Sequence, residues 1–346
     1  MKRRNLQLLL AGAGLTGAVA LTVLWLGACS SNDTTTAPVT AVPPTQYFWD
    51  TRVPVGFADF QAVGVATKDT LFLAITNDPN YDETDPIKTT LVSWDGGEQW
   101  QYGGNIKDTV YHALKNFGGT FYAVSNQSVF KSTDGITWLP TTWAGTGDST
   151  RCGCTLMDIA HGTNGYVAVA LRYLGFSSNG ISWVLVPRPL ITGDNVFFSR
   201  VTFDGIRYIV LAQNFTRDST QFYQSTDGIT WTVRSSLAAT DLNDLVWSDS
   251  GYVAVGETGG LYTSKDAINW HSVDIGTLAD MTFVEWGNRQ YIAGGTDGTL
   301  LVSNNGVTWR AQNVHDQHTL LAAYWTGVRY VVVGENVILV TVLSTQ

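Results

Sequence analysis

The chain has 346 residues, 35 of them glycine, with 12% aromatic and only 14% charged residues, which excludes a charge-rich disordered chain. Its 20 basic and 29 acidic residues give a net charge of −9 at neutral pH, so the basic face that nucleic-acid binding needs is missing. Many glycines and aromatics suit turn-rich β-structure.

The N-terminus comes first. Lys2, Arg3 and Arg4 precede a mostly apolar run from Leu6 to Trp25, the pattern of a secretory signal that stays outside the fold. Without those three residues the rest carries 17 basic and 29 acidic residues, a net charge of −12. The following Leu26-Gly27-Ala28-Cys29 resembles a bacterial lipobox. The resemblance implies a signal peptide over 1–28, cleavage before Cys29 and diacylglyceryl attachment there, with two or more acyl chains holding the domain on a membrane. With Ser30 next, it also implies a bacterial cell-envelope location, at the outer membrane in a Gram-negative cell. An uncleaved anchor is the alternative, since the run is long enough to cross a bilayer. Residues 29–46, lipidated Cys29 followed by a Thr-, Pro- and Ala-rich stretch, read as a flexible tether.

Seven apolar strands follow, each opened by an aromatic: Phe72, Phe121, Tyr166, Tyr208, Tyr252, Tyr291 and Tyr330. Six are followed by a short serine, acid and tryptophan segment, ending at Trp100, Trp138, Trp183, Trp231, Trp270 and Trp309. These tryptophans lie 38, 45, 48, 39 and 39 residues apart, the length of one four-stranded blade. The spacing predicts an all-β fold, a seven-bladed β-propeller of four-stranded blades over 47–346, expected as a monomeric domain. The seventh unit ends before any such tryptophan. Residues 47–53, with Trp49, are expected to supply its outer strand and close the ring.

The tryptophan segments read as turns pinned to a core. Ser and Asp side chains bond nearby backbone amides, Gly takes positive φ, and Trp buries a large flat surface. The structural set is Ser93, Asp95 and Trp100; Ser132, Asp134 and Trp138; Trp183; Asp227 and Trp231; Asp266 and Trp270; and Trp309. Ser93-x-Asp95-x-Gly97-x-x-Trp100 resembles the Asp-box of bacterial sialidases and related BNR-repeat proteins, and the later copies, one residue shorter, look like a variant of it. The resemblance implies a propeller scaffold and, as an alternative function, a sialidase-like glycoside hydrolase with three arginines around a carboxylate, a tyrosine nucleophile assisted by Glu, and a carboxylic acid/base. Thr51-Arg52-Val53-Pro54 resembles that family's first-arginine motif but lacks its aromatic, and the other members have no assignable counterpart. The repeats also resemble those of the seven-bladed assembly factor of photosystem II, which implies a protein partner. That family presents basic residues, of which this acidic chain has few.

The repeat is interrupted at Thr76 to Lys88, Pro140 to Thr155, Pro187 to Phe198 and Gln213 to Gln221. In four-stranded meanders all four insertions emerge opposite the tryptophan turns, and insertions gathered on one face mark a binding surface. The candidate binding face holds Asp78, Tyr81, Asp82, Asp85, Trp143, Asp148, Arg151, Arg188, Asp194, Phe215, Arg217 and Asp218. Charged groups beside aromatics suit an envelope glycan, peptide or protein partner. No cofactor is expected. Asp78, Asn80 and Asp82 alternate as calcium ligands do, with Glu83 where an EF-hand has its glycine, and are a weak metal candidate. Cys152 and Cys154 allow a disulfide, a soft-metal site with Met157 or His161, or free thiols. The sequence assigns no catalytic residue, and binding is the expected activity.

Overall fold

The computed structural model describes residues 45–52, 59–77, 89–106, 110–144, 152, 154–187 and 195–342. The candidate residues Cys29, Asp78, Asn80, Tyr81, Asp82, Asp85, Asp148, Arg151, Arg188 and Asp194 lie outside the described residues. Within them the chain folds into seven sheets, each built on an antiparallel meander of strands a to d. The a strands are Gln61–Lys68, Tyr111–Phe117, Leu156–Gly162, Val196–Phe203, Leu242–Ser248, Met281–Gly287 and Leu320–Trp325. Each packs against the next, and the seventh against the first. This is a seven-bladed β-propeller.

The seventh blade closes as the spacing predicts. Trp49–Thr51 pairs antiparallel with Ile338–Thr341, with Trp49 opposite Thr341. Trp49 packs against a cluster containing Ile292 and Val302 of blade six, the place a tryptophan turn fills elsewhere. Trp231 of blade four likewise meets Val167 and Val169 of blade three, and Trp100 of blade one meets Val331 and Val340 of blade seven. The tryptophan of one blade therefore seals the interface with the blade before it.

One blade departs from four strands. Thr142–Ala144 adds parallel to the outer strand of blade three, Ser182–Val186, putting Trp143 opposite Trp183. The expectation that Trp143 belongs to the binding face is corrected: it is 1% exposed and its ring stacks on Trp183 at 5.3 Å. Space for it comes from Gly175, where an added Cβ would stand 2.9 Å from the Trp143 ring. Beside it, Cys152 and Cys154 form a disulfide, and Cys152 is buried in the core between blades two and three.

The tryptophan turns share the bonds of Asp or Asn to two amides, and in blades one, two, four and six the indole also donates to the glycine carbonyl. In blade two Ser132 Oγ accepts the Gly135 amide at 2.8 Å, and Asp134 Oδ1 accepts the Ile136 and Thr137 amides at 2.9 and 2.7 Å. Trp138 Nε1 donates to the Gly135 carbonyl at 3.2 Å. Gly135 has φ +74°, a conformation that disfavours a side chain. Asn179 and Asn305 replace Asp in blades three and six and accept the same two amides, because one oxygen suffices. The Thr137 and Ile136 amides hold Asp134 down at about 2. Its folded value is below the ordinary 3.8, so its contribution is present above that value and is lost as pH falls toward 2. Asp134→Ala should cost about 1 kcal/mol at pH 7, read as a lower midpoint in denaturant unfolding, and should weaken the acid dependence below pH 4.

Candidate binding face

The meander sets two faces. Turns between strands a and b and the tryptophan turns between c and d share one, the box face; b–c loops and inter-blade connections share the other, the insertion face. Contacts across blades show this directly: Lys68 Nζ, at an a–b turn, donates to the Thr133 carbonyl in the next blade's tryptophan turn at 2.7 Å, and Asn164 Nδ2 does the same to Thr226 at 2.8 Å.

On the insertion face, the insertion around Gln213 to Gln221 is built as long strands, Tyr208–Asn214 and Ser219–Ser225, joined by a four-residue turn. That turn presents Phe215, 57% exposed, with Arg217 and Asp218, the latter at φ +46°. The Phe215 ring stands edge-on to Phe197 at 5.2 Å, and the Arg172 guanidinium lies over the other partner of this pair, 4.6 Å from the Phe197 centroid. Arg172 is oriented by Asn195 Oδ1 at 3.2 Å. The result is an aromatic and cationic patch spanning blades three and four, with exposed Tyr173 next to Arg172. Arg172 and Tyr173 carry no site signature in the sequence, since they fall beside or in an ordinary strand, whereas Phe197 lies within the insertion Pro187 to Phe198.

A second feature lies on the axis, where the a strands enclose a cavity of about 240 Å³ lined by residues of all seven blades. Every a strand carries a β-bulge near its start. Immediately after it stand Asp158, Arg200 and Asp244 in blades three, four and five, with Lys115 and Glu285 two residues further along in blades two and six. Asp158 accepts the Val201 amide at 3.1 Å and Asp244 the Val284 amide at 2.9 Å, so each aspartate also ties its blade to the next. Lys115 Nζ lies 3.7 Å from Asp158, and Arg200 Nε lies 3.4 Å from Asp244.

These groups alter one another. Asp158 beside Lys115 raises the lysine above its usual value, with Asp244 and Glu285 adding to it and burial opposing. Burial raises Asp244, against Arg200 and Lys115. Burial likewise lifts Glu285 from 4.5 to about 7, although Lys115 pulls it down. The cavity therefore offers two cations, two carboxylates and one carboxyl group that titrates near neutrality.

Arg52, the residue singled out by the sialidase resemblance, pairs with Asp50 and, at 2.6 Å, with Glu98 in the first tryptophan turn. Arg329 holds the same Glu98 at 2.7 Å. These guanidinium groups are thus occupied by the protein's own carboxylates. Among the described residues no group of three or more His, Cys, Asp or Glu is placed to hold a metal ion, and His161 instead stacks on Tyr166 at 4.1 Å.

No protein-family model and no curated protein sequence matches this chain. Its fold is similar to that of YCF48 from Cyanidioschyzon merolae, at TM-score 0.62 and 17% identity over 85% of this chain and 98% of that one. It is also similar to YCF48 bound to D1 peptide, at TM-score 0.63 and 13% identity over 88% and 100%. The WD40 β-propeller domain of Doa1 matches at 0.60 and 10% over 86% and 98%. At such identities the likeness is one of fold alone.

The raised Glu285 has a consequence for stability. Between pH 4.5 and about 7 the folded chain keeps a proton that the unfolded chain has lost, so stability falls as pH rises through that window. Glu285→Gln should remove this slope, stabilising the protein at pH 8 by about 1–3 kcal/mol while leaving it nearly unchanged at pH 4, as read by chemical denaturation at both values.

Proposed function

We infer that the chain is a lipid-anchored envelope protein that binds an extended peptide segment of a protein partner through its insertion face. The observation that carries this reading is the patch of exposed Phe215 and Arg172 packed on half-buried Phe197, with Arg172 held by Asn195. An aromatic edge beside a guanidinium supplies an apolar platform and directional donors for backbone carbonyls or carboxylates. The likeness to a propeller described as bound to a peptide supports the same choice. Lipid attachment at Cys29 rests on the lipobox resemblance.

A peptide phage library selected against the immobilised protein tests the reading. Phe215→Ala should weaken the selected peptides about 10-fold or more, the loss expected of an aromatic anchor, measured by fluorescence polarisation. Thermal unfolding should be nearly unchanged, because the ring is mostly exposed. Equal affinity of Phe215→Ala and the unaltered chain, or failure to enrich any peptide, overturns it.

A further inference from the structure

The box face carries a repeated feature that the turns do not need. In the motif Ser-x-Asp-Gly-x-x-Trp the residue after glycine is Ile136, Ile181, Ile229 or Val307 in four blades, and Ile268 follows Ala267 in the fifth. Only its backbone amide works in the turn, donating to the Asp or Asn. The five aliphatic side chains remain between 39% and 55% exposed. Ile206 and Val328, in a–b turns on the same face, are 67% and 63% exposed. Scattered apolar side chains are ordinary on a protein surface, but one register repeated around a ring is not scatter.

The chain enters the propeller on this face. Trp49 pairs with Thr341 at the end of strand c, and the Val342 amide donates to the Phe48 carbonyl at 2.8 Å. Phe48 is 76% exposed. Just before it, Tyr47 bonds to Gln290, and Asn288 donates to Tyr47 at 3.3 Å; both partners lie at the a–b turn of blade six. Fifteen residues lie between Cys29 and Thr45, so under the lipid-anchor reading the attachment point is close in sequence to this face. A lipid on Cys29 is thus joined to the propeller through its box face, where the chain enters, and not through the insertion face.

We propose that the box face is a membrane-docking surface, its ring of Ile and Val side chains seated in the interfacial layer of the lipid leaflet that holds the anchor. Aliphatic side chains on a rigid ring enter that layer together, and each removes apolar surface from water. The proposal rests on the lipid-anchor reading of the N-terminus. Docking leaves the insertion face turned away from the membrane, open to a partner.

The test uses the full, lipid-modified chain on vesicles of phosphatidylethanolamine and phosphatidylglycerol. Ile229→Cys and Ile268→Cys are labelled with an environment-sensitive fluorophore without reductant, so that the Cys152–Cys154 disulfide stays closed. Leu278→Cys, at a position 83% exposed in an inter-blade connection on the insertion face, is the reference. Docking predicts that brominated acyl chains quench the labels at 229 and 268 several-fold more than the label at 278. Co-flotation with vesicles but equal quenching at all three overturns docking and leaves the anchor standing. Failure to co-float overturns the anchor and the docking with it.

Discussion

The structure depends on the seal between neighbouring blades, in which an indole from one outer turn closes against the strands of the blade before it. Seven apolar clusters occupy seven such interfaces. A four-stranded sheet cannot bury both of its faces alone, so each blade is stable only between two others. Polar ties run in parallel with the indoles. Tyr208, Tyr252, Tyr291 and Tyr330 each reach back to the preceding blade, bonding to Gly165, Asp204, Ser248 and Gly287. Ring closure is then a requirement of the packing, and the Trp49 strand meets it with the chain's other end.

This explains which parts of the fold were legible in the sequence. Seals recur, so their residues recur, and the period in the tryptophans together with the strand aromatics gave blade number, strand order and the N-terminal closure. The extra strand at Trp143 was not legible because it belongs to no period. A tryptophan inside an insertion looks like a surface platform, and only the missing side chain at Gly175, far along the sequence, reveals the slot that receives it.

The axial charges were hidden for a different reason. Asp158, Arg200 and Asp244 stand eight residues before Tyr166, Tyr208 and Tyr252, so a periodic signal existed. It was masked by the bulge, which shifts the alternation of inward and outward residues within each a strand, and by the blades where Gly64, Ala113 or Ala322 fills the same place. Charges in a channel are also permitted rather than required by the fold. They show in three dimensions as shared partners, such as the Val201 and Val284 amides, and not as a repeated letter.

The two faces of the propeller therefore differ in kind. On the box face almost every motif position serves the interior, because serine and acid hold amides, glycine makes the turn and tryptophan seals. What is left over there, the aliphatic residue after glycine, still repeats, and a repeated side chain that serves nothing inside points to a demand from outside. The first blade is the informative exception. Its equivalent position is Glu98, which clamps Arg52 and Arg329 across the seam where the closing strand meets blade one. Where the ring must be stitched, the position is charged and paired with two arginines; elsewhere it stays apolar and exposed.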